Sequence, residues 1–235
     1  MKHYTYAPSN RILMAETVSL AKTLPILGVV NTLILPYGTV SLMLYTDRDM
    51  RVFNRALRTR SKLIGIVQER SSVTRQGLRI HATVRGQVRI PIFQTGCVAT
   101  IQGFHDSDEG VLVILQGVCR FQISTPYLTP NRHLYHVCYD AFEADTFHPN
   151  DPPSSHGNLL STLTKHPELY NDDHEVLDDL FHAPSNKIIT SLVQSSNFNA
   201  GEKQALLESK STDERCSLVT TLLEVNQPGT HITRH

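Results

Sequence analysis

The chain has 235 residues, with 22 basic and 22 acidic side chains, so its formal net charge is zero. That balance excludes a generally basic nucleic-acid binder and leaves only a local basic patch. A hydrophobic share of 40% fits an ordinary folded protein, and no apolar run approaches the roughly 18–20 residues of a membrane helix.

The N-terminal stretch MKHYTYAPSNRILMAETVSLAK is mixed and polar. It lacks the continuous apolar core of a signal peptide, so residues 1–22 are expected to form a loose arm and the chain to be soluble and cytoplasmic. Strand signals begin at Leu24-Pro25-Ile26-Leu27 and continue through LILPYGTVSLML, Leu33 to Leu44. Pro36-Tyr37-Gly38 interrupts that second run. The expectation is two short strands joined by a tight corner, with Gly38 taking the positive φ.

After Tyr45 the period changes. Met50, Phe53, Ala56 and Leu57 fall on one face of a predicted helix, with Asp47 as its N-cap. Arg51, Arg55 and Arg58 lie toward the other face or the C-terminal end. KLIGIVQ, Lys62 to Gln68, reads as strand. In LRIHATVRGQVRI, residues 78–90, Ile80, Ala82, Val84, Val88 and Ile90 alternate with Arg79, His81, Thr83, Arg85 and Arg89. That is a half-buried strand pattern in which Gly86 marks either a bend or a hairpin. CVATIQGF and VLVILQGVCRFQI, separated by HDSDEG, predict a hairpin. Leu134 to Ala144 reads as a last strand.

Three prolines in TFHPNDPPSSHG, Thr146 to Gly157, mark a linker or loop. Helical patterns follow. NLLSTLTKH and HEVLDDLFH are short candidates, and NKIITSLVQ places Ile188, Ile189, Leu192 and Val193 on one face. NAGEKQALLES carries Asn199 as a cap. STDERCSLVTTLLEV pairs Ser211 with Glu214 in a capping box, above a stripe of Leu218, Val219, Leu222 and Leu223. Pro228-Gly229 supply the stop. The expected architecture is α+β: an arm over 1–22, a small β-barrel over 23–145, a linker over 146–157 and a helical bundle over 158–228.

The chemistry-bearing residues are sparse. There is no phosphate loop and no G-x-S-x-G elbow. Asp172-Asp173 and Asp178-Asp179 read as solvated acids. Cys97, Cys119, Cys138 and Cys216 form no C-x-x-C pair and read as small buried hydrophobes. The twelve histidines are scattered without metal-ligand spacing. No catalytic residue, metal site or cofactor is expected. Arg79, Arg85 and Arg89, with Arg75 and His81 nearby, form a candidate anion- or RNA-binding strand face. A solvated face that discourages edge pairing is the favoured alternative.

Several short motifs occur in a telling order. Leu24-Pro25-Ile26-Leu27 is followed by Leu35-Pro36 and Gly38, then by KLIGIVQE. Gly96-Cys97-Val98-Ala99-Thr100-Ile101 and Gly117-Val118-Cys119-Arg120-Phe121-Gln122-Ile123 come next. Glu202-Lys203-Gln204-Ala205-Leu206-Leu207-Glu208 and Asp213-Glu214-Arg215-Cys216 close the series. Over about residues 22 to 226 this order resembles the N-terminal substrate-binding domain of Lon proteases. Departures are Tyr37 before Gly38, Cys97 for threonine, Cys216 for leucine, and a longer stretch from Thr74 to Ile92. The resemblance implies a PUA-like β-barrel with a helical tail. It implies a non-catalytic module that recognises protein or unfolded polypeptide segments. Because the sequence ends at His235, the expected form is stand-alone, without ATPase and peptidase modules, and peptidase activity is not carried over. Tyr37 and Tyr45 are the candidate partner-binding residues, set against packing of both rings in the barrel. RNA binding through the basic strand stands second, a small-molecule enzyme last, and no membrane partner is expected. The identity of the partner and the oligomeric state are not legible in the sequence.

Overall fold

A computed structural model of the chain describes residues 22–70, 82–84, 87–89, 92–124, 134–139, 159, 161, 164–165, 182–183 and 185–225. The chain divides into two compact units, residues 1–143 and 144–235.

In the first unit β1 (Thr23–Val29), β2 (Thr39–Leu44), β3 (Leu63–Gln68), β6 (Thr95–Ser107), β7 (Gly110–Ile123) and β8 (Leu134–Cys138) form one six-stranded sheet in the order β2-β7-β6-β3-β1-β8. β7 also pairs with β8, through Gln122 with Cys138 and Ile123 with Val137. The pairings therefore run in a closed circuit, β7-β6-β3-β1-β8 and back to β7. β7 achieves this by dividing one edge between two partners: residues 111–116 face β2, and its last two residues face β8. β2 hangs outside the circuit.

The core follows from the patterning. LIGIVQ of β3 is buried at all six positions, as an inner strand covered on both faces should be. Leu24, Ile26, Leu63, Val67, Val98, Cys119, Phe121, Ile123 and Val137 form one cluster. Phe121 is fully buried, and its ring tip reaches the backbone of two neighbouring strands. A Cβ at Gly96 would lie 2.5 Å from the Ile66 carbonyl oxygen and 2.7 Å from Phe121 Cζ. Only glycine leaves that approach open. Arg120, next along β7, is 1% exposed and is not left without a partner.

The helix α1 (Asp47–Leu57) connects β2 to β3. Thr46, not Asp47, is its N-cap: the Thr46 hydroxyl accepts from the Asp49 N–H at 3.1 Å. Asp47 and Asp49 then occupy the first turn, where the helix dipole favours negative charge. Val52, Phe53 and Ala56 are buried, while Met50 and Leu57 are half-buried. Phe53 meets Phe104 of β6 edge-on, with centroids 5.4 Å apart.

The corner before β2 differs from expectation in two ways. Leu33 to Leu35 joins no ladder, so the first of the two expected strands is absent, although Ile34 and Leu35 are buried. The positive φ falls on Tyr37 (69°) rather than on Gly38. The Gly38 N–H donates to the Leu35 carbonyl at 3.0 Å, closing a type II turn with Pro36 second and Tyr37 third. The Tyr37 N–H donates to Gly117 O, and the Gly117 N–H donates to Gly38 O at 2.8 Å. Two residues thus oppose one, which is a G1 bulge with tyrosine where glycine is usual.

β4 (Ala82–Val84) and β5 (Gln87–Arg89) pair antiparallel as a separate two-stranded sheet, so the chain reverses between Val84 and Gln87. Gly86, read as either a bend or a hairpin, itself lies outside the described residues. An isolated bridge between Glu69 and Ile92 closes the excursion at its base. The β6–β7 hairpin runs further than expected: strand pairing continues through Ser107 and Gly110, leaving Asp108-Glu109 as the turn. β8 ends at Cys138, and the rest of the expected strand beyond Tyr139 lies outside the described residues.

The second unit contains α2 (Ser185–Ser195), α3 (Ala200–Glu208) and α4 (Thr212–Val225). Ile188, Ile189, Leu192 and Val193 are buried, as their spacing requires. Asn199 and Glu202 form a complete capping box on α3. On α4 only half a box forms. The Ser211 hydroxyl accepts from the Glu214 N–H, but the Glu214 carboxylate accepts from Lys210 N–H rather than Ser211 N–H. Val219 and Leu223 are buried, with Leu218 and Leu222 half-buried. Residues 1–21 of the arm expected over 1–22, the linker over 146–157 and the helix HEVLDDLFH up to Phe181 lie outside the described residues. Among the described residues no helix is long and apolar enough to cross a membrane.

Candidate partner-binding site

Strand alternation decides what the β2-β7-β6 portion of the sheet shows outward. On β7, Val111, Val113 and Leu115 are buried, and Leu112, Ile114 and Gln116 point the other way. Directly opposed residues share a face, so the register assembles three outward rows. Thr39, Gln116 and Thr100 form the first, Ser41, Ile114 and Gly103 the second, and Met43, Leu112 and His105 the third. Beyond them Tyr45 follows β2 beside Gly110, whose added Cβ would lie 3.4 Å from the Tyr45 ring.

This face is apolar at its centre and polar at one end. Ile114 is 41% exposed because Gly103 offers no side chain beside it. Met43 and Leu112 are half-buried, and Tyr45 is 71% exposed. At the polar end the Gln102 amide donates to Thr100 Oγ1 and to Gln116 Oε1, both at 2.9 Å. The face itself carries no carboxylate or guanidinium.

The two candidate tyrosines are not brought together. They stand at opposite ends of β2, separated by about 20 Å of extended strand. Tyr37 is half-buried and its backbone is committed to the turn and bulge; Tyr45 lies open at the far end. Of the basic candidates, Arg79 and Arg85 lie outside the described residues. Arg89 ends β5, opposite Ala82 in the hairpin.

Positive charge gathers elsewhere. Arg48, Arg51, Arg55 and Arg58 recur at helical spacing along one side of α1, and Arg60 follows in the turn. Arg48 pairs with Glu69 at 3.6 Å, and the Arg70 guanidinium sits 4.8 Å from the Phe93 ring centroid. The sequence placed Arg51, Arg55 and Arg58 toward the other face or the C-terminal end of the predicted helix without giving them a role; the placed helix adds Arg48 to the row. Ile114 was missed for a different reason. Its exposure depends on Gly103 across the ladder, a partner fixed by a register shift between Ile101 and Gly103.

Among the described residues no group of three or more histidines, cysteines or acids is placed to hold a metal ion. The four cysteines are free thiols, three of them buried. Burial, and then the nearby Asp213 charge, push the Cys216 thiol up to about 11, against a smaller lowering by Arg215. Burial, followed by the Cys119 charge, also raises the Tyr139 phenol.

The architecture is that of the N-terminal domains of Lon proteases. The N-terminal domain of the Mycobacterium avium complex Lon protease superposes with a TM-score of 0.61 at 17% identity, covering 88% of this chain and 100% of its own. A Lon N-terminal domain protein from Xanthomonas campestris gives 0.57 at 18% identity, covering 86% and 98%. No curated protein matches the chain by sequence. The family of the ATP-dependent protease La (LON) substrate-binding domain matches across residues 23–225, and the chain belongs to that family.

Proposed function

We propose that this chain is a non-catalytic module that binds polypeptide segments on the outer face of β2, β7 and β6. The observation that carries the reading is the uncharged patch of Ile114, Leu112, Met43 and Tyr45, held on a rigid sheet rather than on a loop. An exposed apolar patch of this kind with a polar border favours protein contact. Family membership points the same way. Tyr45 supplies an amphipathic ring at the border; Tyr37 shapes the strand's entry. In this reading the closed strand circuit is a PUA-like barrel over 23–145, followed by a linker over 146–157 and a helical subdomain over 158–228.

The test uses reduced, carboxymethylated α-lactalbumin as an unfolded polypeptide. Ile114→Asp and Tyr45→Ser are expected to weaken its binding about tenfold each, because hot-spot truncations cost on the order of 1–2 kcal/mol. Binding is expected to persist in high salt. Retention of full affinity by both variants overturns the assignment.

One observation favours a second reading, RNA binding. The arginine row on α1 presents several cations along a single direction. Should RNA be the ligand, affinity falls steeply with salt, and neutralising Arg51, Arg55 and Arg58 flattens that slope. Neutralising Arg79, Arg85 and Arg89 separates a contribution of the β4–β5 region from that of α1.

A further inference from the structure

We infer that the arginine row of α1 is a second contact surface, which holds an acidic polypeptide segment. The inference rests on the polypeptide-binding reading above and adds to it the charge such a segment carries.

The row follows from helical spacing. Arg48, Arg51, Arg55 and Arg58 lie three or four residues apart and so share one side of α1, while Val52, Phe53 and Ala56 take the buried side. Arg51, Arg58 and Arg60 are exposed, and Arg55 is half-buried. Glu69 engages Arg48 at 3.6 Å, but Arg51, Arg55, Arg58 and Arg60 enter no ion pair among the described residues. The sequence holds no acidic residue between Asp49 and Glu69, so nothing local neutralises them. In a chain of zero formal net charge this is a concentrated excess.

The row is separate from the apolar patch. Phe53 of α1 meets Phe104, whose neighbours on β6, Gly103 and His105, belong to the outward rows. Phe104 pairs with buried Val113 and points the other way, so α1 packs against the face of β6 opposite the patch.

The chemistry of the row selects its occupant. Guanidinium groups take carboxylates or phosphates in paired hydrogen bonds. The shape of the row favours carboxylates on a polypeptide. From Arg51 to Arg58 it spans about 10 Å at 1.5 Å per residue. Asp47, one turn before Arg51, bounds it with a negative charge. A nucleic-acid backbone draws its affinity from a longer series of phosphate contacts. Single-stranded RNA also stacks its bases on exposed aromatic rings, and Phe53, the one aromatic residue between Arg48 and Lys62, is buried. An extended polypeptide with an acid at every second position presents carboxylates about 6.6 Å apart. Arg51, Arg55 and Arg58 rise in steps of about 6 and 4.5 Å, and their long side chains take up the difference.

The experiment is fluorescence anisotropy at low and high salt with three labelled probes. They are a peptide of about seven alternating glutamate and serine residues, its glutamine counterpart, and an oligouridylate of the same number of units. At low salt the wild-type chain is expected to bind the glutamate peptide about tenfold more tightly than the glutamine peptide, with the preference shrinking at high salt. Arg51→Gln, Arg55→Gln and Arg58→Gln together are expected to remove that preference. Equal binding of the two peptides by the wild-type chain, a comparison that requires no variant to fold, overturns the inference. An undiminished preference in the folded triple variant does the same. Tighter binding of the oligouridylate than of the glutamate peptide overturns it in favour of RNA. If the glutamate preference is absent while Ile114→Asp and Tyr45→Ser weaken binding of unfolded α-lactalbumin, the row falls and the polypeptide-binding reading stands. If the wild-type chain binds neither peptide nor α-lactalbumin, both fall.

Discussion

Tyr37 holds a backbone conformation that its side chain disfavours. A left-handed φ costs a non-glycine residue about 1–2 kcal/mol, and both the type II turn and the bulge ask for glycine at this position. Comparing two truncations isolates the cost. Tyr37→Gly and Tyr37→Ala both remove the ring, but only glycine removes the strain. In urea melts the glycine variant is expected to be the more stable by about 1 kcal/mol. Equal stabilities would show that the turn holds no strain at Tyr37. This residue also marks a limit of sequence reading. Pro36 and Gly38 announced the corner correctly, and Gly38 was the natural candidate for positive φ. Which residue takes it is decided by Gly117 on a strand some eighty residues away, where a Cβ would overlap the Leu35 carbonyl oxygen. Cys216 gives a second prediction. Its thiol is raised from 9.0 to about 11, so the folded state keeps a proton that the unfolded state releases. Its contribution to stability is fully present below pH 9 and is lost as pH rises toward 11. At pH 8.5 iodoacetamide is expected to label half-buried Cys138 well before Cys216, read by mass spectrometry.

Among the elements, those with a local cause were the legible ones. The burial of β3, the α2 stripe, the Asn199 cap and the β6–β7 hairpin each follow from residues within a few positions of one another. Boundaries were less so. Thr46 and Asp47 are both good caps, and the choice between them depends on which side chain reaches Asp49 N–H. Of the proposed patch, the sequence named Tyr45 as a candidate, whereas the Ile114–Gly103 row requires the sheet register. Glycines at strand crossings carry the most sensitive packing. Gly96→Ala is expected to destabilise the fold by about 2–3 kcal/mol, because its methyl meets Ile66 O and Val67 Cγ1 rather than a flexible side-chain end. A loss under about 0.5 kcal/mol in thermal or urea unfolding would mean that β3 and β6 can spread without cost.

The whole molecule is electrically balanced, with an isoelectric point near 7.2. Charge repulsion between copies is therefore weakest near neutral pH, where the uncharged outward face of β2, β7 and β6 meets least opposition to contact. Light scattering is expected to show self-association strongest near pH 7 and relieved by a charge on that face, as in Met43→Lys. A minimum of association at neutral pH would contradict this. Thr23 pairs with His136, so the first described strand waits for the last, about 110 residues later. Contacts this distant in sequence slow folding. During synthesis, β1 has β3 as a parallel neighbour but no second partner until Cys138 has left the ribosome. A nascent chain halted before that point carries two unmatched strand borders, one on β1 and one on the end of β7, and these are the surfaces that chaperones would have to shield.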